Sequence, residues 1–185
     1  SRMNRAVIRR VSAGLAQYLR DIIPGAQERG VVIGHDARTG SQSFAADAAA
    51  VFRGFGYRVF CCDPLVPTPL VAFATRTMHA AAGIMVTASH NPAEYNGYKV
   101  YWENGAQITP PHDTGIAAAI DAVDAKNIPI DKEGLEPTAD TLPDVYLRAL
   151  RSQIERVEPG ADRPLRVVYT AMHGVGAPLC EAALR

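Results

Sequence analysis

The densest group of chemically reactive side chains in this sequence follows a short apolar run at residues 83–86. Ser89, His90 and Asn91 come soon after that run, and Lys99 lies near the start of the next apolar stretch. A serine hydroxyl is a weak nucleophile that needs an activating neighbour, and a lysine can act as an acid or a base when its surroundings lower its pKa. His90 could orient a phosphate or donate to it. Nucleophilic catalysis by Ser89 is therefore one interpretation, and a polar hairpin turn with Lys99 in solvent is the other.

The elements around Ser89 must bring it close to Lys99 if the two act together. Ligands of open α/β sheets bind beyond the carboxyl ends of the strands, where Ser89 would lie after a strand over 82–87. Asn91-Pro92 and Asn96-Gly97 favour turns, and the connection to the next strand is too short for a crossover helix. The two strands should therefore be antiparallel neighbours, with Ser89 and Lys99 facing each other across the mouth of one loop.

A second polar loop, at residues 34–41, also follows an apolar run and leads into an alanine-rich helical pattern. Helix N-termini and arginine side chains both attract phosphate, so Arg38 is a candidate phosphate-binding residue. The alternative is an Asp36–Arg38 network, with Ser41 or Ser43 capping the helix. The loop matches neither a dinucleotide-binding motif nor a P-loop, and nucleotide binding is poorly supported.

Hydrophobic periodicity predicts the elements that carry these loops. The predicted helices cover residues 5–23, 41–55, 70–74, 114–125 and 145–157, and the predicted strands cover 31–34, 57–62, 82–87, 98–102 and 165–169. This alternation predicts an α/β layered domain with a mostly parallel mixed sheet flanked by helices. Residues 128–143 form a proline-rich connecting stretch in this scheme. We therefore expect one domain over 1–143, then a linker helix and the truncated start of a second similar α/β domain over 144–185.

Composition excludes several functional classes. The 19 basic and 19 acidic residues give a net charge of zero without a basic patch, which argues against nucleic acid as a partner. The sequence has no apolar run of the roughly 18 residues that a membrane span needs. Three cysteines without metal-ligand spacing, Cys61, Cys62 and Cys180, argue against a disulfide framework or a zinc site and favour a reducing compartment. The cytoplasm is the expected location.

Serine hydrolase chemistry has limited support in the sequence. The nucleophile elbow of α/β hydrolases needs glycines two residues before and two after the serine, and Thr87 and Asn91 occupy those positions. Spacing alone does not exclude a catalytic triad, although neighbouring Ser89 and His90 are not expected to point at one another. A fluorophosphonate probe would label a hydrolase serine.

Taken together, three motifs resemble the α-D-phosphohexomutase family, which includes phosphoglucomutases and phosphomannomutases. The run Thr87-Ala88-Ser89-His90-Asn91-Pro92 looks like the phosphoserine signature of that family, and Tyr95-Asn96-Gly97-Tyr98-Lys99 continues it with matching spacing. The loops Gly34-His35-Asp36-Ala37-Arg38 and Met172-His173-Gly174-Val175-Gly176 also fall where the family has them. The resemblance covers essentially the whole chain.

The resemblance implies an enzyme that moves a phosphoryl group between the 1 and 6 positions of a glucose or mannose phosphate. Ser89 would carry the phosphoryl group and, through its phosphate, one ligand of Mg²⁺. Lys99 would be the general acid/base and His90 a further active-site contact, while Arg38 and Asn91 would lie near the phosphate. A sugar 1,6-bisphosphate would be both intermediate and activator.

Parts of the family pattern have no match in this chain. The aspartate-rich metal loop is approached only by Gly160-Ala161-Asp162-Arg163, which has a single carboxylate, and the sugar-recognition loop is absent. The resemblance therefore implies domain I and the opening of domain II, with the missing domains II–IV as partners and the remaining Mg²⁺ ligands outside this chain. A phosphopentomutase of the same family and a non-catalytic sugar-phosphate binding module remain alternatives.

Overall fold

The computed structural model describes residues 3–62, 65–133, 136–137, 142–154 and 166–185. Five strands form one sheet: β1 (Val31–His35), β2 (Val59–Cys61), β3 (Ala82–Val86), β4 (Tyr98–Trp102) and β5 (Glu136–Pro137). Their order across the sheet is β4-β3-β1-β2-β5, and only the β3–β4 pair is antiparallel among these strands. The mostly parallel mixed sheet and the antiparallel β3–β4 pair confirm the sequence predictions.

Helices cover both faces of the sheet. On one side α3 (Ser41–Gly54) lies against the strands, α1 (Arg5–Ile22) packs on α3, and the short α2 (Ala26–Arg29) and α5 (His112–Ala122) pack on α1. On the other side α4 (Thr68–Thr77) lies against the strands and α6 (Leu142–Ile154) packs on α4. Every residue of β1 and β3 is buried because helices lie on both sides of these strands. The first core cluster centres on Ile8, Leu15, Phe52, Ile33 and Ile84, and the second on Val32, Leu70, Val71 and Met85.

The first helix shows how local sequence begins and ends an element. The Asn4 side chain accepts a hydrogen bond from the Val7 main-chain N–H at 3.0 Å, and this N-cap begins α1. The turn at Pro24-Gly25 follows the helix, with Gly25 at a φ of 67°. The apolar stripe of α1, which includes Ile8, Leu15 and Leu19, is fully buried in the first core cluster, and the helix packs against α3 and α5.

Several predicted boundaries and one predicted strand differ from the structure. Gly40 is the N-cap of α3 without a side-chain cap, so the expected cap from Ser41 or Ser43 is wrong. The stretch predicted as a connection includes β5 and the start of α6. The predicted strand over 165–169 is absent from its described part, residues 166–169, since Val168 is fully exposed and no described segment pairs with it.

The C-terminal part contacts the first domain through α6. The rings of Tyr146 on α6 and Phe73 on α4 meet edge to face with centroids 5.1 Å apart, and Leu142 joins the second core cluster. The helix α7 (Ala177–Leu184) follows a turn at residues 172–173 and packs against α6. The division at residue 143 and a second α/β domain stay predictions. Among the described residues, no helix combines the length and apolar character needed to cross a bilayer.

The outer edge of β4 is covered by the chain that follows it. After β4 the backbone turns through Gly105, at a φ of 80°, and runs back along the strand. Trp102 donates its main-chain N–H to the Ala106 carbonyl at 2.8 Å, and Ile108 donates to the Val100 carbonyl at 3.1 Å. Residues 106–108 therefore satisfy backbone groups on the side of β4 that faces away from β3.

A buried carboxylate and two arginines link α1 to α3. The Asp47 side chain is 3% exposed and accepts hydrogen bonds from Arg5 and Arg9. Burial by itself would raise the pKa of Asp47, but the hydrogen bonds from Arg5 and Arg9 outweigh burial and lower that pKa below its ordinary value. Asp47 therefore stabilises the folded chain in its ionised form.

We expect Asp47→Asn to lower the free energy of unfolding by about 2 kcal/mol at pH 7, because hydrogen bonds to a charged group are lost. Since the folded-state pKa of Asp47 is the lower one, this stabilisation is complete above the unfolded-state pKa of about 3.9 and disappears as pH falls through the folded-state pKa. Urea denaturation at pH 7 and at low pH should show the gap between wild type and variant shrinking on acidification. Asp21→Asn, at a highly exposed position, is the matched control. A difference in the free energy of unfolding between wild type and Asp47→Asn that does not change with pH would contradict this account.

Candidate functional site

Two polar loops meet at the carboxyl edge of the sheet. The strands β1 and β3 are parallel neighbours, and their last residues, His35 and Val86, pair with each other. The loop that begins at Asp36 and the loop over residues 87–97, which we call the serine loop, therefore begin side by side. Asp36 donates its main-chain N–H to the Val86 carbonyl at 3.2 Å and continues this pairing.

Ser89 lies exposed in the serine loop with an uncommon backbone conformation. Its φ is 59°, in the left-handed region that non-glycine residues rarely adopt unless their surroundings hold them there. Its main-chain N–H donates to Thr87 Oγ1 at 3.0 Å. Its Oγ lies 3.4 Å from His90 Nδ1, so the expectation that the two neighbouring side chains point apart is wrong. The hydroxyl is open to solvent and beside an imidazole.

Arg38 contacts the serine loop through its whole guanidinium group. Nε donates to Asp36 Oδ2 at 3.1 Å, and the two terminal nitrogens donate to four main-chain carbonyls at distances of 2.6, 2.7, 2.6 and 3.2 Å. These carbonyls belong to Ser89, Asn91, Pro92 and Tyr95. A guanidinium carries five N–H donors, and each has an acceptor here. Arg38 is 13% exposed and organises the loop in this geometry.

The Asp36 carboxylate holds the start of both loops. Oδ1 accepts from the Arg38 main-chain N–H at 3.1 Å and from Ser41 Oγ at 2.7 Å, and Oδ2 accepts from Thr87 Oγ1 at 2.5 Å as well as from the Arg38 side chain. The far end of the serine loop joins the same network, because Asn96 Nδ2 donates to Ser41 Oγ at 2.8 Å. The Asp36–Arg38 network that the sequence left as an alternative is thus present.

Lys99 lies on β4, where it is paired with Met85 of β3. Met85 precedes Ser89 by four residues in the sequence. Directly opposed residues of an antiparallel pair share a face, so Lys99 lies on the face that α4 covers near Met85. Lys99 therefore pairs one position deeper in the sheet than Tyr98, which is opposite Val86 at the mouth of the loop. Its half-buried side chain makes no recorded hydrogen bond or ion pair within the described residues.

Asn91 contributes main-chain contacts to the serine loop. Its N–H donates to the Ala88 carbonyl at 3.1 Å, and its carbonyl accepts from Arg38. The exposed amide side chain extends from the same loop as Ser89. Its role as a phosphate-binding residue stays a prediction.

Acidic and imidazole side chains do not converge into a complete metal site in the described part of the chain. No group of three or more His, Cys, Asp or Glu residues there could hold a metal ion. The carboxylate nearest to the serine loop in the network, Asp36, already accepts four hydrogen bonds.

Sequence reasoning missed the three residues that complete the network: Thr87, Ser41 and Asn96. Thr87 stood in the phosphoserine signature and Asn96 in a turn dipeptide, but neither was assigned a contact. The usable signal was the pattern of short polar residues just beyond two apolar strands, which is where side chains of adjacent loops can meet.

The comparison with known families decides the identity of this arrangement. Residues 1–127 match the family model described as phosphoglucomutase/phosphomannomutase, alpha/beta/alpha domain I. The chain belongs to the phosphoglucomutase/phosphomannomutase family. The α/β/α layering of that family domain agrees with the sheet and the two helical layers described above.

Curated relatives from this family of mutases align along nearly the whole chain. A protein of Schizosaccharomyces pombe named "Probable phosphoribomutase" is 46% identical and aligns with 100% of this chain and 32% of its own length. A "Probable phosphomannomutase" of Haemophilus influenzae is 41% identical over 98% of this chain and 37% of its own length. A human phosphopentomutase is 36% identical over 100% of this chain and 32% of its own length. The chain thus spans about a third of the length of these relatives.

Solved structures share the architecture. A phosphoglucomutase/phosphomannomutase family protein from Burkholderia thailandensis superposes with a TM-score of 0.73 at 25% identity, over 98% of this chain and 38% of that one. The Paramecium phosphoprotein pp63/parafusin superposes with a TM-score of 0.69 at 18% identity, over 96% of this chain and 37% of that one, which is evidence for the fold alone.

Proposed function

We propose that the full-length protein is a phosphosugar mutase and that Ser89 of this chain carries the phosphoryl group. The observation that carries the proposal is the exposed Ser89 hydroxyl, held on an ordered loop at the carboxyl edge of the sheet in a chain of this family. The substrate would be a hexose phosphate, glucose or mannose, with the phosphoryl group moving between the 1 and 6 positions. The cytoplasm is the proposed location.

The proposed reaction is a balanced exchange through a bisphosphate. The P–O bond to Ser89 Oγ breaks, a P–O bond to the free sugar hydroxyl forms, the hydroxyl loses its proton and Ser89 Oγ gains one. After the bisphosphate turns over, Ser89 Oγ attacks the other phosphate and the monophosphate leaves. A sugar 1,6-bisphosphate supplied from outside would phosphorylate Ser89 and so act as activator. Positioning and charge neutralisation are the main contributions of the protein to such transfers.

The remaining predicted site residues have distinct proposed roles. Lys99 is the candidate general acid/base, and His90, beside the Ser89 hydroxyl, is a further contact of the transferred group. Asn91 is a candidate donor to phosphate. Mg²⁺ would neutralise phosphate charge, with the Ser89 phosphate as one ligand and the others outside this chain.

A pentose phosphate is the second candidate substrate. It is favoured by the relatives named phosphoribomutase and phosphopentomutase, which are 46% and 36% identical to this chain. Coupled assays of the full-length protein with glucose 1-phosphate, mannose 1-phosphate and ribose 1-phosphate test both candidates, and mass spectrometry of Ser89 tests the phosphoenzyme. Unmodified Ser89 after incubation with a sugar bisphosphate, together with no turnover, would favour a non-catalytic binding module.

Lys99→Met in the full-length protein should lower kcat by about a hundredfold, the usual contribution of a general acid or base. Lys99→Arg keeps the charge but cannot release a proton at neutral pH, so its kcat should stay equally low if Lys99 transfers a proton. Steady-state kinetics measures both variants, with the exposed Lys132→Met as control. Full activity of Lys99→Arg would assign Lys99 a purely electrostatic role.

A further inference from the structure

The serine loop is linked to Asp36 near its start, along its middle and at its end. Thr87 bonds Asp36 directly, the loop carbonyls bond Arg38, and Asn96 reaches the carboxylate through Ser41. Four main-chain carbonyls of the loop accept hydrogen bonds from one side chain, that of Arg38. The arrangement restricts the conformation of the loop before any ligand binds.

We propose that Asp36 and Arg38 are positioning residues that set the direction of the Ser89 hydroxyl, and that Arg38 does not bind the transferred phosphate. This inference rests on the proposed function of Ser89 as the phosphoryl carrier. It departs from the sequence expectation of Arg38 as a phosphate-binding residue.

The guanidinium of Arg38 is fully engaged by protein acceptors. All five N–H donors that a guanidinium offers have protein acceptors, so a phosphate could gain a bond only by displacing one. Four of those acceptors are carbonyls spread along the serine loop from Ser89 to Tyr95. A planar fork of donors can reach several acceptors at once, whereas the ammonium of a lysine is a single point.

The charge of Arg38 is also balanced within the protein. Arg38 and Asp36 form an ion pair at 3.1 Å, and both side chains are 13% exposed. Their charges cancel, so the pair adds little net attraction for a phosphoserine, which carries nearly two negative charges at neutral pH. The cationic groups that neutralise the phosphate must therefore be others, with Lys99 as the candidate on this chain.

Thr87 transmits the position of Asp36 to Ser89. Its hydroxyl donates to Asp36 Oδ2 at 2.5 Å and accepts from the Ser89 main-chain N–H at 3.0 Å. The φ of Ser89 is 59°, and the bond from its main-chain N–H to the Thr87 hydroxyl helps to maintain this uncommon backbone conformation. Valine has nearly the shape of threonine and can make neither bond, while serine can make both.

The experiment compares Thr87→Val with Thr87→Ser in the full-length protein. Hydrogen–deuterium exchange is measured without any sugar phosphate at the main-chain amides of Ser89, Asn91 and Tyr95. In Thr87→Val these amides should exchange about tenfold to a hundredfold faster than in wild type, because a hydrogen bond to a charged network is lost. In Thr87→Ser they should exchange near the wild-type rate, because serine keeps that bond. Where turnover is measured, kcat should fall by a similar factor in Thr87→Val, with KM changed less than about threefold.

Arg38→Met and Arg38→Lys extend the test, with the exposed Arg20→Met as control. Both Arg38 variants should accelerate loop exchange and lower kcat, and lysine should not rescue. A raised KM for sugar phosphate with unchanged kcat and unchanged loop exchange would overturn the inference and make Arg38 a phosphate ligand. Unchanged exchange in Thr87→Val would overturn it as well.

The two proposals fail in different ways. If wild-type protein neither acquires phosphate on Ser89 from glucose 1,6-bisphosphate nor turns over any sugar phosphate, the proposed function is wrong. The exchange measurement needs no substrate, and it still decides whether Asp36, Arg38 and Thr87 hold the loop.

Discussion

Replacing Ser89 with alanine in the full-length protein should lower mutase turnover at least about a thousandfold, because the residue that accepts and returns the phosphoryl group is removed. The fold should be retained, since the Ser89 side chain is exposed and its recorded bond to the protein is the 3.4 Å contact with His90. A coupled assay measures turnover. Thermal unfolding measures stability, and the free energy of unfolding of Ser89→Ala should differ from that of wild type by less than about 0.5 kcal/mol.

Ser152→Ala is a suitable control, because Ser152 is an exposed serine on α6 with a hydrogen bond to the Ala149 carbonyl. Its turnover should equal that of wild type. Mass spectrometry should detect phosphate on Ser89 in wild type and in the control. Retention of wild-type turnover in Ser89→Ala would show that another residue carries the phosphoryl group.

The 185-residue chain alone should fold but show no turnover of glucose 1-phosphate, mannose 1-phosphate or ribose 1-phosphate. The described residues bring no three metal-binding side chains together, whereas a divalent cation usually takes several oxygen ligands. The chain also corresponds to only 32% and 37% of the length of the first two curated relatives, so most of each of those relatives has no counterpart in it. Circular dichroism would confirm folding and a coupled assay would measure turnover.

The full-length protein, assayed at the same molar concentration with Mg²⁺ and a sugar 1,6-bisphosphate, is the positive control. Adding the remaining part of the protein as a separate chain provides a complementation arm, in which activity depends on both chains. Turnover by the purified chain alone, abolished by Ser89→Ala, would contradict the expectation that the site is incomplete.

Much of the fold was predictable because its signals are local. The apolar run at residues 31–33 is buried on both faces of a parallel strand, as a continuous run predicts. The connection between β3 and β4 is too short for a crossover helix, so the sequence predicted an antiparallel pair, and the observed register confirms that pair. The strand predicted over 165–169 failed because a strand needs a neighbour to pair with, and an apolar run alone does not provide one.

The site was predictable in its residue types but not in its contacts. The sequence placed Ser89 beyond the end of a strand, and the structure agrees. Arg38 illustrates what spacing cannot give: an arginine near a phosphate site fits phosphate binding or loop support equally well, and only the positions of four carbonyls distinguish them. The backbone conformation of Ser89 was also hidden, because serine has no strong preference for a positive φ.

The return of the chain along β4 also bears on the behaviour of this domain at high concentration. A strand at the border of a sheet offers unpaired N–H and C=O groups on which a second molecule can add a strand, and this leads to aggregation. Here Ala106 and Ile108 occupy such groups of Trp102 and Val100. Residues 106–108 thereby shield the β4 flank of the sheet from association with other copies of the protein.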